Sequence, residues 1–166
     1  TGVARGRPVV RGAGGGRANF RNLPQAARVL VGLGVRQFQF GCVHPVGTAG
    51  ENPAAGVPRM GLMAPYLRRA LRIGIDAARR VYSEAVPYCV LPGYEDHVVE
   101  SRIPRTRVVD AGVTVEDYRA YRLDHGKLKG PRCPDCHWYD VCEGPWREYP
   151  ETYGFDEFAP VVGGAS

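Results

Sequence analysis

Two periodicities alternate along the first half of the chain. Leu23, Ala26, Ala27, Leu30 and Val31 recur at the spacing of one helical face. Asn22 precedes them as a candidate N-cap with Pro24 in the first turn, and Gly32 and Gly34 close the segment. From Val35 to Val43 the period changes to two, with Phe38, Phe40 and Cys42 alternating with Gln37, Gln39 and Gly41. This predicts a strand with rings towards a helix layer and amides towards a lumen; the reverse assignment and plain core packing stay open. A second helix is expected from Pro65, with Leu67, Leu71, Ile75 and Ala78 as its buried stripe. Arg68, Arg69, Arg72, Arg79 and Arg80 fall mainly outside that stripe. Val81 to Val86 then reads as another strand, closed by Pro87. Successive helix–strand pairs predict an α/β fold with parallel β/α architecture, but two pairs are too few to close a barrel.

The pattern is weaker on either side. Residues 1–19 form a Gly- and Arg-rich head in which no stable element is expected beyond a short extended piece at Pro8–Arg11. Gly12, Gly14 and Gly16 match neither the dinucleotide fingerprint nor the phosphate-loop pattern. Residues 95–113 read as extended loops or a hairpin. Thr114, with Asp117 three positions on, resembles a helix start for a short helix through Tyr118, Tyr121 and Arg122 to about Asp124. The expected organisation is therefore a disordered head (1–19), a β/α unit (20–94) and a loop-rich extension (95–166).

Charge and composition narrow the function classes. With 44% hydrophobic residues among 166, the chain has the make-up of an ordinary globular domain. No apolar run reaches the roughly 18 residues of a spanning helix, so no membrane partner is expected. Residues 1–50 carry seven arginines and no acid, whereas residues 133–166 carry seven acids and one base, Arg147. A basic head suits nucleic acid or an acidic surface, and it equally suits a solvated terminus; composition favours the solvated terminus. The odd count of five cysteines and the absence of an apolar leader segment argue against a disulfide framework and predict a reduced, cytoplasmic protein.

The candidate chemistry gathers at Cys133, Cys136 and Cys142. Their C-x2-C-x5-C spacing lies in a run rich in Pro, Asp and Gly, with little apolar material to hold its own shape. A metal or cluster bound by thiolates would supply that order. Zinc draws its ligands as paired knuckles, and no second pair exists; His137 adjoins Cys136, an awkward position for a fourth ligand. A four-iron cluster takes one thiolate at each of four corners, and Cys89, just past the second strand, is the candidate for the fourth. A lone cysteine there is more often a small buried hydrophobe. Spacing alone leaves cluster and zinc evenly matched. His44 and Asn52, in the long loop after the first strand, stand where α/β proteins build sites, although a loop histidine is more often simply solvated.

These residues carry a resemblance. Cys133-Pro134-Asp135-Cys136, Cys142-Glu143-Gly144-Pro145-Trp146, Tyr149, Tyr153-Gly154 and Glu157-Phe158-Ala159-Pro160 resemble the C-terminal auxiliary-cluster segment of radical S-adenosylmethionine proteins, the SPASM and Twitch extensions. Leu33-Gly34-Val35, His44-Pro45-Val46-Gly47-Thr48-Ala49 with Asn52, and Val86-Pro87-Tyr88-Cys89 are similar to the second half of their barrel. The resemblance covers roughly residues 19–161. It implies a partial β/α barrel followed by a binding extension, with Cys89, Cys133, Cys136 and Cys142 as ligands of an auxiliary 4Fe-4S cluster. It also implies His44 and Asn52 as cofactor contacts, S-adenosylmethionine in the complete enzyme, and radical chemistry on a peptide or small molecule. The defining C-x3-C-x2-C is absent, and Trp146 stands where the larger pattern has a further cysteine. The resemblance therefore implies a C-terminal portion whose missing N-terminal half is a partner, inactive alone. A zinc-stabilised binding module without enzymatic activity is the alternative.

Overall fold

The computed structural model describes residues 10–110 and 113–163. A strand β1 (Val10–Gly15) leads through α1 (Leu23–Gly32) into β2 (Gln37–Cys42). Two single-turn helices follow, α2 (Thr48–Glu51) and α3 (Pro53–Gly56), and then the long α4 (Met60–Asp76) returns the chain to β3 (Arg80–Glu84). The three strands form one parallel sheet in the order β1-β2-β3. A second unit carries a small antiparallel hairpin, β4 (Val108–Asp110) with β5 (Val113–Val115), then α5 (Tyr118–Tyr121), a π-helical turn (Arg122–Gly126), the cysteine loop and α6 (Glu148–Tyr153). The fold is mixed helix and strand, with small sheets and no closed barrel among the described residues.

The period-two reading of β2 holds residue by residue. Phe38, Phe40 and Cys42 are buried, while Gln37, Gln39 and Gly41 are half-buried. The rings face the helices: a side chain at Gly74 of α4 would press on Phe38 and Val81 at 3.0 Å, so glycine lets α4 lie close on the sheet. On the opposite face Gln39 donates a hydrogen bond to Glu84 at 2.8 Å, joining β2 to β3 through side chains. α1 and α4 pack against each other, with Leu23, Ala27, Met63, Leu67, Ala70 and Leu71 in the shared core. The outer edge of β3 is covered by residues 97–99, where Val99 donates its N–H to the Ser83 carbonyl.

Three sequence expectations change. The head contains a strand: β1 occupies Val10–Gly15, and its glycines hid it because they leave almost no side-chain alternation to read. The earlier part of the expected extended piece, Pro8 and Val9, lies outside the described residues. α4 begins at Met60 rather than Pro65, which sits inside the helix, and Ala78 falls beyond its end with φ 54°. Thr114 belongs to β5, and the helix cap is Asp117, whose carboxylate accepts the Ala120 N–H at 3.0 Å. Pairing in the hairpin outweighed the local cap signal at Thr114.

Phe38 is fully buried between sheet and α4. Phe38→Ala should lower unfolding free energy by about 3–5 kcal/mol, read from urea denaturation; a loss below about 1 kcal/mol would contradict the packing described.

Candidate metal centre

β3 ends in an unusual backbone conformation. Ala85 has φ 61° while being buried, a left-handed geometry that costs a non-glycine residue energy. Its N–H is taken by the Glu100 carboxylate, which reaches up from a 3-10 turn at Glu100–Arg102. This sharp exit carries Val86 and Pro87 across the top of the sheet and delivers Cys89 on a 3-10 turn, Tyr88–Val90.

The cysteine loop is built from consecutive turns. Cys133 donates its N–H to Gly130, Cys136 to Cys133, Tyr139 to Cys136, and Cys142 to Trp138. Trp138 stacks on Tyr88, with ring centroids 4.9 Å apart and planes at 15°. That contact joins the segment bearing Cys89 to the segment bearing the other three. Gly144, at φ 81°, closes against the Leu128 carbonyl so tightly that a Cβ would clash with it. The tail crosses the loop from the other side, with His137 donating to the Val161 carbonyl at 2.8 Å.

Cys89, Cys133, Cys136 and Cys142 consequently line one pocket, of about 420 Å³ including its open mouth. Its remaining walls are mostly apolar, with Pro87, Pro145, Phe155 and Phe158 prominent. Three of the sulfurs accept backbone N–H groups: Cys133 from Gly130 at 3.2 Å, Cys136 from Val161 at 3.4 Å and Cys142 from Gly144 at 3.4 Å. Burial pushes the Cys89 thiol up to about 12, and the three neighbouring cysteines push the same way. Burial also raises Cys142, opposed by the Gly144 N–H. The site thus disfavours thiolates until a positive group compensates them. Among the described residues, no three His, Cys, Asp or Glu side chains converge closely enough to hold one metal ion. All five cysteines are free of disulfides, and Cys42 stays apart in the core, its thiol also pushed to about 12 by burial.

His44 and Asn52 are not part of this pocket. His44 stacks on Trp146 with centroids 3.7 Å apart and planes at 11°, and its Nε2 lies 3.2 Å from Glu148. Burial lowers its pKa, with the Glu148 carboxylate opposing. Asn52 caps α3, its side-chain oxygen accepting the Ala55 N–H at 3.2 Å. His44 therefore clamps the sheet's upper end to the extension, and Asn52 shapes its own loop.

Sequence reading missed two groups. Tyr149 accepts the Met60 N–H at 2.7 Å and donates its hydroxyl to Glu157, which also accepts the Gly61 N–H at 3.0 Å. The extension thereby caps the first turn of α4, satisfying donors that no local residue serves. The second group is a set of buried charges, Glu100, Arg122, Lys127 and Glu143, each 3–5% exposed. Arg122 pairs with Glu143, whereas Lys127 Nζ and Glu100 Oε2 have no hydrogen-bond partner. A buried charge in a loop leaves no periodic signal, so only the fold reveals either group.

Comparison of the chain with family models, with curated proteins and with solved structures returned no match.

Burial raises the Glu100 pKa, with Lys127 opposing. The folded state therefore holds this proton more tightly than the unfolded chain. The contribution is complete below the ordinary carboxylate range and declines as pH rises through the raised value. Glu100→Gln can keep the Ala85 bond through its amide oxygen. It should therefore flatten that decline in urea unfolding followed upward from the ordinary carboxylate range. A mutant whose stability falls as steeply as the native chain's would contradict this assignment.

Proposed function

We propose that this chain is the C-terminal portion of a radical S-adenosylmethionine enzyme, with a partial β/α barrel and an extension that binds an auxiliary 4Fe-4S cluster. The observation that carries the reading is the convergence of Cys89, Cys133, Cys136 and Cys142 on one apolar pocket. The donor set suits such a cluster on two counts. It is all sulfur, and three of the sulfurs receive backbone N–H groups.

Bound there, the cluster would supply electron relay or substrate anchoring. The chain's residues do the rest. The four cysteines give up protons to become ligands, the N–H donors stabilise charge on sulfur, and the prolines and phenylalanines keep water from the site. S-adenosylmethionine cleavage needs a C-x3-C-x2-C that this sequence lacks, so that step belongs to a partner half. Under this reading the substrate is a peptide or small molecule, and His44 and Asn52 serve the site indirectly, through the Trp146 stack and the α3 cap. Free thiols at all five cysteines suit a reducing, cytoplasmic setting. No described helix is long and apolar enough to cross a membrane.

Anaerobic incubation with iron and sulfide should yield a brown protein carrying about four irons per chain. Cys89→Ala and Cys133→Ala should lose the colour and the iron, while Cys42→Ala keeps both. A colourless chain that takes up one zinc per molecule instead would establish the zinc-stabilised module and refute the cluster.

A further inference from the structure

Two hydrogen-bonded turns stand beside the thiol pocket. In the first, Cys133 donates its N–H to the Gly130 carbonyl at 3.0 Å, with Pro131 and Arg132 at the corner. In the second, Phe158 donates its N–H to the Phe155 carbonyl at 2.9 Å, with Asp156 and Glu157 at the corner. Further bonds fix each turn. Gly130 donates its own N–H to the Cys133 sulfur at 3.2 Å, and Glu157 is held by the Tyr149 hydroxyl and the Gly61 N–H. The Phe155 ring lies so close to Gly130 that a Cβ there would fall 2.5 Å from it, so glycine lets the two turns meet.

Between the turns lies a second cavity, of about 540 Å³ including its open mouth, within the usual range for small-molecule sites. It shares Cys133, Phe155 and Phe158 with the thiol pocket. Pro131 and the two phenyl rings, packed edge to face at 6.2 Å, form its apolar wall. Its charged lining is Arg132 from the first turn and Asp156 from the second, both exposed. Among the described residues these two side chains form no ion pair, with each other or with any other group, and no hydrogen bond. Opposite charges left unpaired across one apolar-walled cavity match a ligand that carries both. A simple acid would meet Asp156 with like charge, and a simple amine would meet Arg132 in the same way.

We propose that this cavity binds a free α-amino acid with an apolar, ring-bearing side chain. Arg132 receives the carboxylate, for which a guanidinium offers two parallel donors. Asp156 receives the ammonium, and the side chain packs on Phe155 and Phe158. A residue inside a peptide carries neither charge on its backbone, so it satisfies neither turn. The site adjoins the proposed cluster at Cys133 but goes beyond that reading. Both turns are closed by the chain's own hydrogen bonds, and neither needs a cluster to exist.

Isothermal titration calorimetry of the full, reduced chain tests the assignment, with L-phenylalanine, phenylacetate and phenethylamine as probes. L-Phenylalanine should bind saturably, one per chain, and each analogue, lacking one charge, at least about tenfold more weakly. Both variants below fall on exposed side chains without partners, so the fold survives them. Arg132→Gln should weaken L-phenylalanine about tenfold or more and leave phenethylamine unchanged, since that probe has no carboxylate to lose. Asp156→Asn should weaken L-phenylalanine similarly and leave phenylacetate unchanged. An absence of saturable heat with L-phenylalanine at millimolar concentration overturns the proposal. So does binding that survives both substitutions, or an analogue that binds as tightly as the amino acid. Iron uptake is measured separately: a chain that binds L-phenylalanine and takes up no iron refutes the cluster reading alone, and a chain that takes up iron without binding the amino acid refutes this site alone.

Discussion

The stack of Trp138 on Tyr88 is the contact on which the candidate site depends. One ring belongs to the strand-exit segment of the parallel sheet, the other to the loop between Cys136 and Cys142. Without it, the loop that bears Cys136 and Cys142 would lose its ring contact with the segment that bears Cys89. Aromatic pairs of this kind add about 0.5–1.5 kcal/mol beyond the area they bury. Two further contacts hold the same alignment. His44 lies flat on Trp146, and Tyr149 with Glu157 caps the first turn of α4. Sheet and extension are thus fastened at three places by aromatic side chains, each drawn from a different part of the sequence.

What this fastening creates is electrostatically costly. Four thiols face one apolar volume, and burial raises the pKa of at least Cys89 and Cys142. Two carboxylates and two cations are buried among the elements that support them. Proteins keep unpaired charge inside only where fold or chemistry requires it. Here Glu100 holds the N–H of the strained Ala85 with one oxygen, leaves the other unpartnered, and lines a cleft together with Cys142. The helix–sheet core itself is ordinary, with Phe38, Phe40, Leu67 and Leu71 packed together in it.

That division explains what could be read from the sequence. Phe38, Phe40 and Cys42 disclose a strand because each alternate residue faces a helix layer, and the α1 stripe discloses its helix for the same reason. C-x2-C-x5-C is legible because turn-bound cysteines of one pocket are close in sequence, and Cys89 is legible because it follows a strand exit. β1 was hidden, since Gly12, Gly14 and Gly15 pair through backbone atoms alone. The true start of α4 was hidden too, because the groups that cap Met60 and Gly61 come from Tyr149 and Glu157 in the extension. Lys127 and Glu100 lie in irregular segments, where one charged residue reads as solvated. Pattern reports burial repeated at a fixed interval. A site assembled from single residues in separate loops offers no interval to detect.

The central claim is that Cys89 completes a four-thiolate set with Cys133, Cys136 and Cys142. Native mass spectrometry of the anaerobically reconstituted chain tests it most directly, because the added mass identifies the bound group. The account predicts one species heavier by four irons and four sulfides, replaced by the bare chain or a smaller cluster when Cys89 is changed to alanine. A Cys89→Ala chain that retains the full four-iron, four-sulfide mass would contradict the ligand set, as would a native chain that gains only a single zinc.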